Sequence, residues 1–304
     1  MTIREPDWDL YRSFLAVLNE GSLSGAARAL GLTQPTVGRH IDMLEQALAL
    51  TLFIRSQTGY MPTEAAAGLR DYAETLASTS AALLRAASSL GRSPHGELHG
   101  TVRITASDVI GVEVLPPILS RLQRDCPGIA IELAISNRIE NLLRRDADIA
   151  VRMQRPQQEA LLARRIGAIE LGLHAHRDYL QARGTPHTWA ELAQHVLIGI
   201  DHETPFTRSL AHHMGDLSRD NYALRSDSDL VQLASIRAGL GIGICQTGLA
   251  RRDPALVRVL PEALAIRLDT WLAMHENLRN NPACKAVYAA LAEGLAPYLE
   301  AEDG

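Results

Sequence analysis

Residues 14–55 read FLAVLNEGSLSGAARALGLTQPTVGRHIDMLEQALALTLFIR, and the spacing of their apolar residues decides the fold of this end of the chain. Leu10, Phe14, Val17 and Leu18 share one face and predict a helix over 8–20, closed by Gly21 as a left-handed C′ residue. Ser22 or Ser24 can cap a second helix over 25–30, with Ala26, Ala27 and Leu30 inward and Gly31 as its stop. Thr33 reads as the N-cap of a third helix. Pro35 falls in its first turn, where a missing N–H costs nothing, and Val37, Ile41, Leu44 and Leu48 form its apolar stripe. Gln34, Thr36, Arg39, His40 and Met43 lie on the opposite side. Leu52–Ile54 and Tyr60–Pro62 flank a polar tip and predict two short strands around a turn.

Three short helices with a glycine-containing turn before the third make a helix-turn-helix, and the strand pair after it reads as a wing. A recognition helix must be braced from behind and present forked or short polar side chains forward. Gln34 suits an adenine edge, Arg39 a guanine edge, and Thr36 a thymine methyl or a phosphate. Ser24, Thr33, Gln34, Pro35, Thr36, Arg39 and His40, with Arg55 in the wing and Thr63 after it, are the candidate DNA contacts. Charge alone points the other way. Residues 1–65 hold five Arg and no Lys against seven Asp or Glu, and the whole chain carries −5. Lys285 is the sole lysine, so the basic side chains are almost all planar forks.

Farther along, Thr63 caps a longer helix reaching about residue 90. Leu69, Leu76, Leu83 and Leu90 recur every seven residues with Ala73, Ser80 and Ala87 between them, the register of a dimerising seam. Such a helix is about 40 Å long. Gly91–Gly100 reads as a linker. From residue 101 strand-like runs alternate with helical ones: strand 101–106, helix 112–124, strand 129–135, short helix 138–145 and strand 147–153. This βαβ order predicts a mostly parallel sheet. A second α/β unit opens at 169–175. It continues through 196–200, 222–225, helix 229–238 and strand 241–245, before strand 267–275 and helix 282–299. The expected architecture is α/β, with a head over 1–65, a linker and dimerisation helix over 66–95, and a two-lobed domain over 96–304. Lobe I is expected over about 96–168 and 270–304 and lobe II over about 169–269, with the chain crossing near 165–170 and 266–272.

Two such lobes make a cleft, and ligands settle there at strand carboxyl ends and helix N-termini. Ser107, Asp108, Asn137, Arg152, Asp201, Ser226 and Asp227 occupy those positions. Ser107 serves equally as a helix cap. Asp108 is unusual at an anion site; it caps the helix or selects an amine or hydroxyl. Arg152 pairs either a ligand carboxylate or a neighbouring Asp146 or Asp148. Asn137 is a ligand contact or a turn former.

Composition is that of an ordinary globular chain, 46% hydrophobic and 21% charged, which excludes disorder and collagen-like repeats. No apolar run is long enough for a transmembrane helix, and the N-terminus lacks the pattern of a secretory signal, so a cytoplasmic location is expected. Three cysteines are too few for a disulfide framework. The pairs His174/His176 and His212/His213 lack ligand spacing, so no metal and no cofactor are expected. GLGIGI lacks the helix that follows a dinucleotide-binding turn, and no nucleophilic constellation stands out, which argues against an enzyme.

Residues 8–66 resemble the winged helix-turn-helix of the LysR-type transcriptional regulators. AARAL, TQPTVGRHIDMLE, LFIR and PTEA stand in the family's order, and RITAS at 103–107, DADIAVRM at 146–153 and AGLGIGI at 238–244 extend the likeness over essentially the whole chain. The resemblance implies a two-lobed effector domain like the periplasmic binding proteins. The implied partners are promoter or operator DNA, a small-molecule effector, often an organic acid, and a second copy in a homodimer or homotetramer. RNA polymerase is a further implied partner, and no membrane is. Gly38, Ala49 and Thr58 depart from the family pattern, weakening the expected grip on DNA. The competing readings are a redox-sensing regulator of the same architecture using Cys126 and Cys245, a cytosolic small-molecule-binding module, and an α/β enzyme.

Overall fold

The computed structural model describes residues 5–56, 59–89, 97–137, 147–156, 161–204, 207–208 and 219–299. Its contacts divide the chain into two units that part between Leu84 and Arg85. The first unit begins with helices α1 (Trp8–Glu20), α2 (Leu23–Leu30) and α3 (Gln34–Leu48). α1 and α2 end on Gly21 and Gly31, both left-handed as expected. Ser22, rather than Ser24, caps α2, accepting the Gly25 N–H at 3.1 Å. Thr33 caps α3. Phe14, Val17, Ala26, Val37, Ile41, Leu44 and Leu52 form one buried core.

Strands β1 (Phe53–Ser56) and β2 (Gly59–Pro62) pair antiparallel, and α4 (Glu64–Ser88) follows. Glu45 fixes the wing to the recognition helix: its Oε1 accepts the N–H groups of Leu52 at 2.6 Å and Phe53 at 3.1 Å. Tyr60 N–H donates to Gly21 O at 3.1 Å, closing the wing onto the end of α1. Arg70 anchors α4 by donating to Asn19 Oδ1 and Leu18 O.

The second unit is built on one sheet, ordered β4-β3-β5-β11-β6-β9-β7-β8 with β10 on β6. Its strands are β3 (Gly100–Ala106), β4 (Ile129–Ile135), β5 (Ile149–Arg152), β6 (Leu161–His176), β7 (Leu197–Gly199), β8 (Tyr222–Arg225), β9 (Ile242–Gln246), β10 (Leu256–Val259) and β11 (Ile266–His275). The sheet is mixed, not mostly parallel. β3 is parallel to β4 and β5, and β7 to β8 and β9, but β6 and β11 run antiparallel to each other and to their other partners.

The two expected crossings are therefore one long ribbon. β6 starts at Leu161, earlier than 169, because its first half pairs with β11 and Arg165 meets Asp269 at 2.8 Å across the ribbon. The register shifts at Thr270/Trp271 opposite Gly167, whose φ of 149° suits only glycine and where a Cβ would lie 2.7 Å from Leu299 Cβ.

Helices α5 (Leu115–Asp125), α6 (Arg177–Arg183), α7 (Trp189–Leu192), α8 (Asp229–Arg237), α9 (Thr247–Ala250) and α10 (Pro282–Leu299) complete the unit. The expected helix 112–124 is broken in two. Ile110–Val114 forms a π-helical turn before α5, because Pro116 and Pro117 in the first turn of α5 cannot donate to a continuous α ladder. Val102, Ile104 and Ala106 pack with Ile118, Leu122, Val287 and Leu291 in one core; Leu173, Leu180, Leu197, Ile242 and Val259 form a second. The expected helix 138–145 and linker residues 91–96 lie outside the described residues.

Two sites bear measurable strain or charge. Ala49 ends α3 in the left-handed region at φ 53°. Relieving a non-glycine residue of that conformation gains about 1 kcal/mol, so Ala49→Gly raises stability in a denaturant melt. Arg85 (9% exposed) binds Asp148 (3% exposed) through Nε and Nη2 at 2.9 and 3.2 Å, and Asp148 also accepts the Arg103 N–H at 2.8 Å. Arg85→Ala strands a buried carboxylate and should cost about 3–5 kcal/mol in the same assay.

Candidate functional site

In the first unit the exposed face of α3 carries Gln34, Pro35 and Arg39, with Thr36 half-buried at its start. Ser24 Oγ donates to Gln34 Oε1 at 3.1 Å, which orients the amide, and Thr33 and Thr36 hydroxyls share a 2.8 Å bond. Arg39 has no ion-pair or hydrogen-bond partner among the described residues. Arg55 lies in the wing, stacked 5.8 Å over the Tyr60 ring with Nε donating to the Tyr60 hydroxyl. Two candidates are otherwise engaged. His40 Nδ1 sits 2.7 Å from the hydroxyl of buried Ser13, so the imidazole braces α3 against α1. Thr63 donates to Thr51 O and accepts the Ala66 N–H, so its hydroxyl caps α4. Thr58 lies outside the described residues.

Along α4, Leu69 packs partly into the core of its own unit, whereas Leu76 and Leu83 are 45% and 67% exposed. Tyr72 and Leu84 are exposed beside them. Leu90 lies outside the described residues.

In the second unit, Ser107, Asp108, Asn137 and Arg152 gather at the carboxyl ends of β3, β4 and β5. Ser107 Oγ lies 3.5 Å from Met153 Sδ, and Asn137 Oδ1 accepts the Asp108 N–H at 3.1 Å. Arg152 is 6% exposed. It donates to Val151 O at 3.0 Å and to the Thr105 hydroxyl at 2.8 Å, but its Nε has no partner. Asp148 is not its counter-ion, being held by Arg85, and Asp146 lies outside the described residues. Among the described residues, therefore, this buried guanidinium has no carboxylate. Burial alone lowers its pKa to about 10. Thr105, the hydroxyl that steadies Arg152, was not among the expected contacts; it faces inward within an apolar strand and gives no local signal.

Asp201, Ser226 and Asp227 gather at the ends of β7 and β8, where they mostly satisfy one another. Asp227 accepts the backbone N–H groups of Asp201 and His202 at 3.0 and 2.8 Å, and lies 2.7 Å from His202 Nδ1. Arg219 pairs with Asp201. The hydrogen bond to Asp227, then the two carboxylate charges, raise the His202 imidazole above its ordinary value. Ser226 N–H donates to Gly199 O, and its carbonyl accepts Gln232 Nε2. Asp229, the first residue of α8, is reached by solvent. Desolvation by the protein around the carboxyl, then the charge of Asp108, raise it above the usual range. Glu113 on the π-helical turn and Arg237 on α8 form a two-pronged pair at 2.7 and 3.0 Å, and with Arg252 and Asp253 they line a cavity of about 250 Å³.

His174 is buried with Nδ1 against Gly172 O, while His176 caps α6. His212 and His213 lie outside the described residues. Burial pushes the thiols of Cys245 and Cys284 up to about 12, which leaves little thiolate for redox sensing. Among the described residues no helix is long and apolar enough to cross a membrane.

Two family models match the chain. One, described as "Bacterial regulatory helix-turn-helix protein, lysR family", covers residues 8–67; the other, "LysR substrate binding domain", covers residues 95–296. The chain belongs to the LysR family. An HTH-type transcriptional regulator of Xanthomonas campestris pv. campestris is 29% identical over 187 residues, covering 62% of this chain and 53% of the relative. The putative HTH-type transcriptional regulator protein PtxE of Stutzerimonas stutzeri is 37% identical over 115 residues, covering 38% of this chain and 52% of the relative. The chain thus spans about half the length of these curated relatives. Among solved structures, CbnR, a LysR family transcriptional regulator, gives a TM-score of 0.67 at 18% identity, covering 98% of this chain and 100% of that one. Full-length AphB, a Vibrio cholerae virulence activator, gives 0.60 at 22% identity, covering 95% and 99%. These likenesses show the LysR fold, a helix-turn-helix followed by a substrate-binding domain.

His174 supplies a pH signature for this LysR-family chain. Burial lowers its pKa from 6.5 to about 4, so the folded state holds it neutral. The unfolded chain takes up the proton first, so this contribution is complete above pH 6.5 and is lost as pH falls towards 4. The loss is about 1.4 kcal/mol per unit. In urea titrations, the stability gap between the wild type and His174→Gln is therefore expected to narrow from pH 7 to pH 4.5.

Proposed function

We propose that this chain is a DNA-binding transcriptional regulator, not an enzyme, that senses a small anionic molecule. Residues 1–65 act as the DNA-reading head, 66–95 as the dimerising helix and 96–304 as the effector domain. The observation that carries the reading is the outer face of α3. Gln34 and Arg39 stand exposed on a helix whose back is buried in the core, and Arg39 is not committed to any described carboxylate. Ser24 belongs to that face as the residue that orients Gln34, and Thr33, Pro35 and Thr36 offer the helix N-terminus to a phosphate. Arg55 extends the contact through the wing.

The exposed Tyr72, Leu76 and Leu83 support pairing of two copies along α4, in a homodimer or a homotetramer. Paired heads suit the acidic balance of residues 1–65, because one head alone gains little from phosphates. Arg152 supports the sensing role, since a buried cation without a carboxylate favours an anionic ligand. Effector binding would favour one arrangement of the two lobes and so alter how paired heads sit on a promoter, where RNA polymerase is the further partner. A cytoplasmic location follows from that role.

Gel-shift titration of the full-length protein against the intergenic DNA beside its own gene, over a salt series, tests the reading. A sequence-selective complex is expected. Arg39→Ala should weaken it by about 1–3 kcal/mol per head with dimerisation unchanged. Equal affinity of Arg39→Ala and the wild type would remove Arg39 from the contact.

A further inference from the structure

Three metal-ligating side chains meet where β7 and β8 end. The two strands pair in parallel, so the segments that follow them leave the sheet side by side. Asp201 and Asp227 each stand two residues past their strand, and His202 follows Asp201. No sequence spacing announces the group, because 25 residues separate His202 from Asp227. Each carboxylate has one oxygen tied back. Asp227 Oδ1 accepts the backbone N–H groups of Asp201 at 3.0 Å and His202 at 2.8 Å, and Asp201 Oδ1 accepts Arg219 Nη2. The two remaining oxygens converge on one ring nitrogen: Asp227 Oδ2 lies 2.7 Å and Asp201 Oδ2 3.5 Å from His202 Nδ1. All three donor atoms lie within 4.8 Å of one another. Nδ1 carries at most one proton, so it can serve only one of the two carboxylates. Asp201 Oδ2 has no other donor among the described residues.

We propose that Asp201, His202 and Asp227 form a binding site for a divalent transition-metal ion of the zinc class. Such an ion satisfies all three donor atoms at once. Donors held at about 2.0–2.2 Å from it stand about 3.0–3.5 Å apart. Asp201 Oδ2 is already at that range from Nδ1, and the His202 ring, 77% exposed, has room to swing away from Asp227 by the remaining fraction of an ångström. An imidazole with two carboxylates suits zinc and its first-row neighbours better than magnesium or calcium, which prefer oxygen donors alone. Three protein donors leave a coordination position open, and the Asp227 side chain is itself exposed, so the site exchanges its metal with solution rather than locking it into the fold. The inference is separate from the anion-sensing role, which rests on Arg152, and either can fail without the other.

Equilibrium dialysis of the full-length, tag-free protein against zinc chloride, with bound metal counted per chain, tests the site. One saturable zinc per chain is expected at the tightest site, and a large excess of magnesium chloride should not displace it. His202→Ala and Asp227→Asn should each weaken that zinc by about tenfold or more, since even the loss of an outer-shell partner costs about that much. Asparagine keeps an oxygen for the two backbone N–H groups, so Asp227→Asn removes the charge and leaves the turn in place. His187→Ala, which deletes an exposed imidazole elsewhere in the same unit, should change nothing. Zinc held equally by the wild type and by either site variant, each with the wild-type circular dichroism spectrum, overturns the site. So does a wild-type protein that holds no zinc, or one whose zinc is lost to magnesium.

Discussion

The second unit depends on the antiparallel pairing of β6 with β11. These two strands are the only ones that run through both halves of the described sheet, with β5 on one end of β11 and β9 and β10 on the other end of β6. Any strand that must serve two lobes has to satisfy its backbone along its whole length, and a long two-stranded ribbon does so at least cost. The register shift at Thr270/Trp271 and the glycine at 167 let the ribbon bend where Leu299 packs against it. Ser107, Asn137 and Arg152 sit at strand ends on one side of this ribbon and Asp201, Ser226 and Asp227 on the other, so the spacing of the two groups is set by it.

In the first unit, polar side chains do the work of bracing. Glu45 takes two backbone N–H groups at the base of the wing, and His40 meets the buried Ser13 hydroxyl. Both lie on the recognition helix, and both point away from the surface that would meet DNA. That leaves a short set of outward groups, chiefly Gln34 and Arg39. An acidic head with few free cations relies on base-edge contacts and on pairing more than on phosphate attraction.

Burial of unlike charges organises the second unit in two different ways. Arg85 and Asp148 neutralise each other in the interior and hold the start of the unit to β3. Arg152, four residues along the chain from Asp148 at the end of β5, is left without such a partner among the described residues. The two buried arginines, Arg85 on α4 and Arg152 on β5, therefore differ: the first is neutralised by a carboxylate and the second has none among the described residues. Glu113 and Arg237 add a charged pair between the π-helical turn and α8, beside the cavity lined by Arg252 and Asp253.

The helix order of residues 8–48, the caps at Thr33 and Gly21, strands 129–135 and 222–225 and helix 282–299 were legible in the sequence. Local periodicity and turn chemistry specify them without help from distant residues. The exposed face of α3 was legible for the same reason, because a helix stripe defines its own opposite side. Partner choice was not. Asp148 stands two residues from Asp146 and four from Arg152, and nothing in that spacing says that it pairs with Arg85 instead. The full extent of β6 was hidden because Arg164 and Arg165 interrupt the apolar run of its first half, which is held by cross-strand pairing. Sequence alone determined where helices start and stop and which of their faces are apolar. Only the tertiary structure decided which charges are neutralised and which stay open, because ion pairing depends on approach in space between residues that the chain keeps far apart.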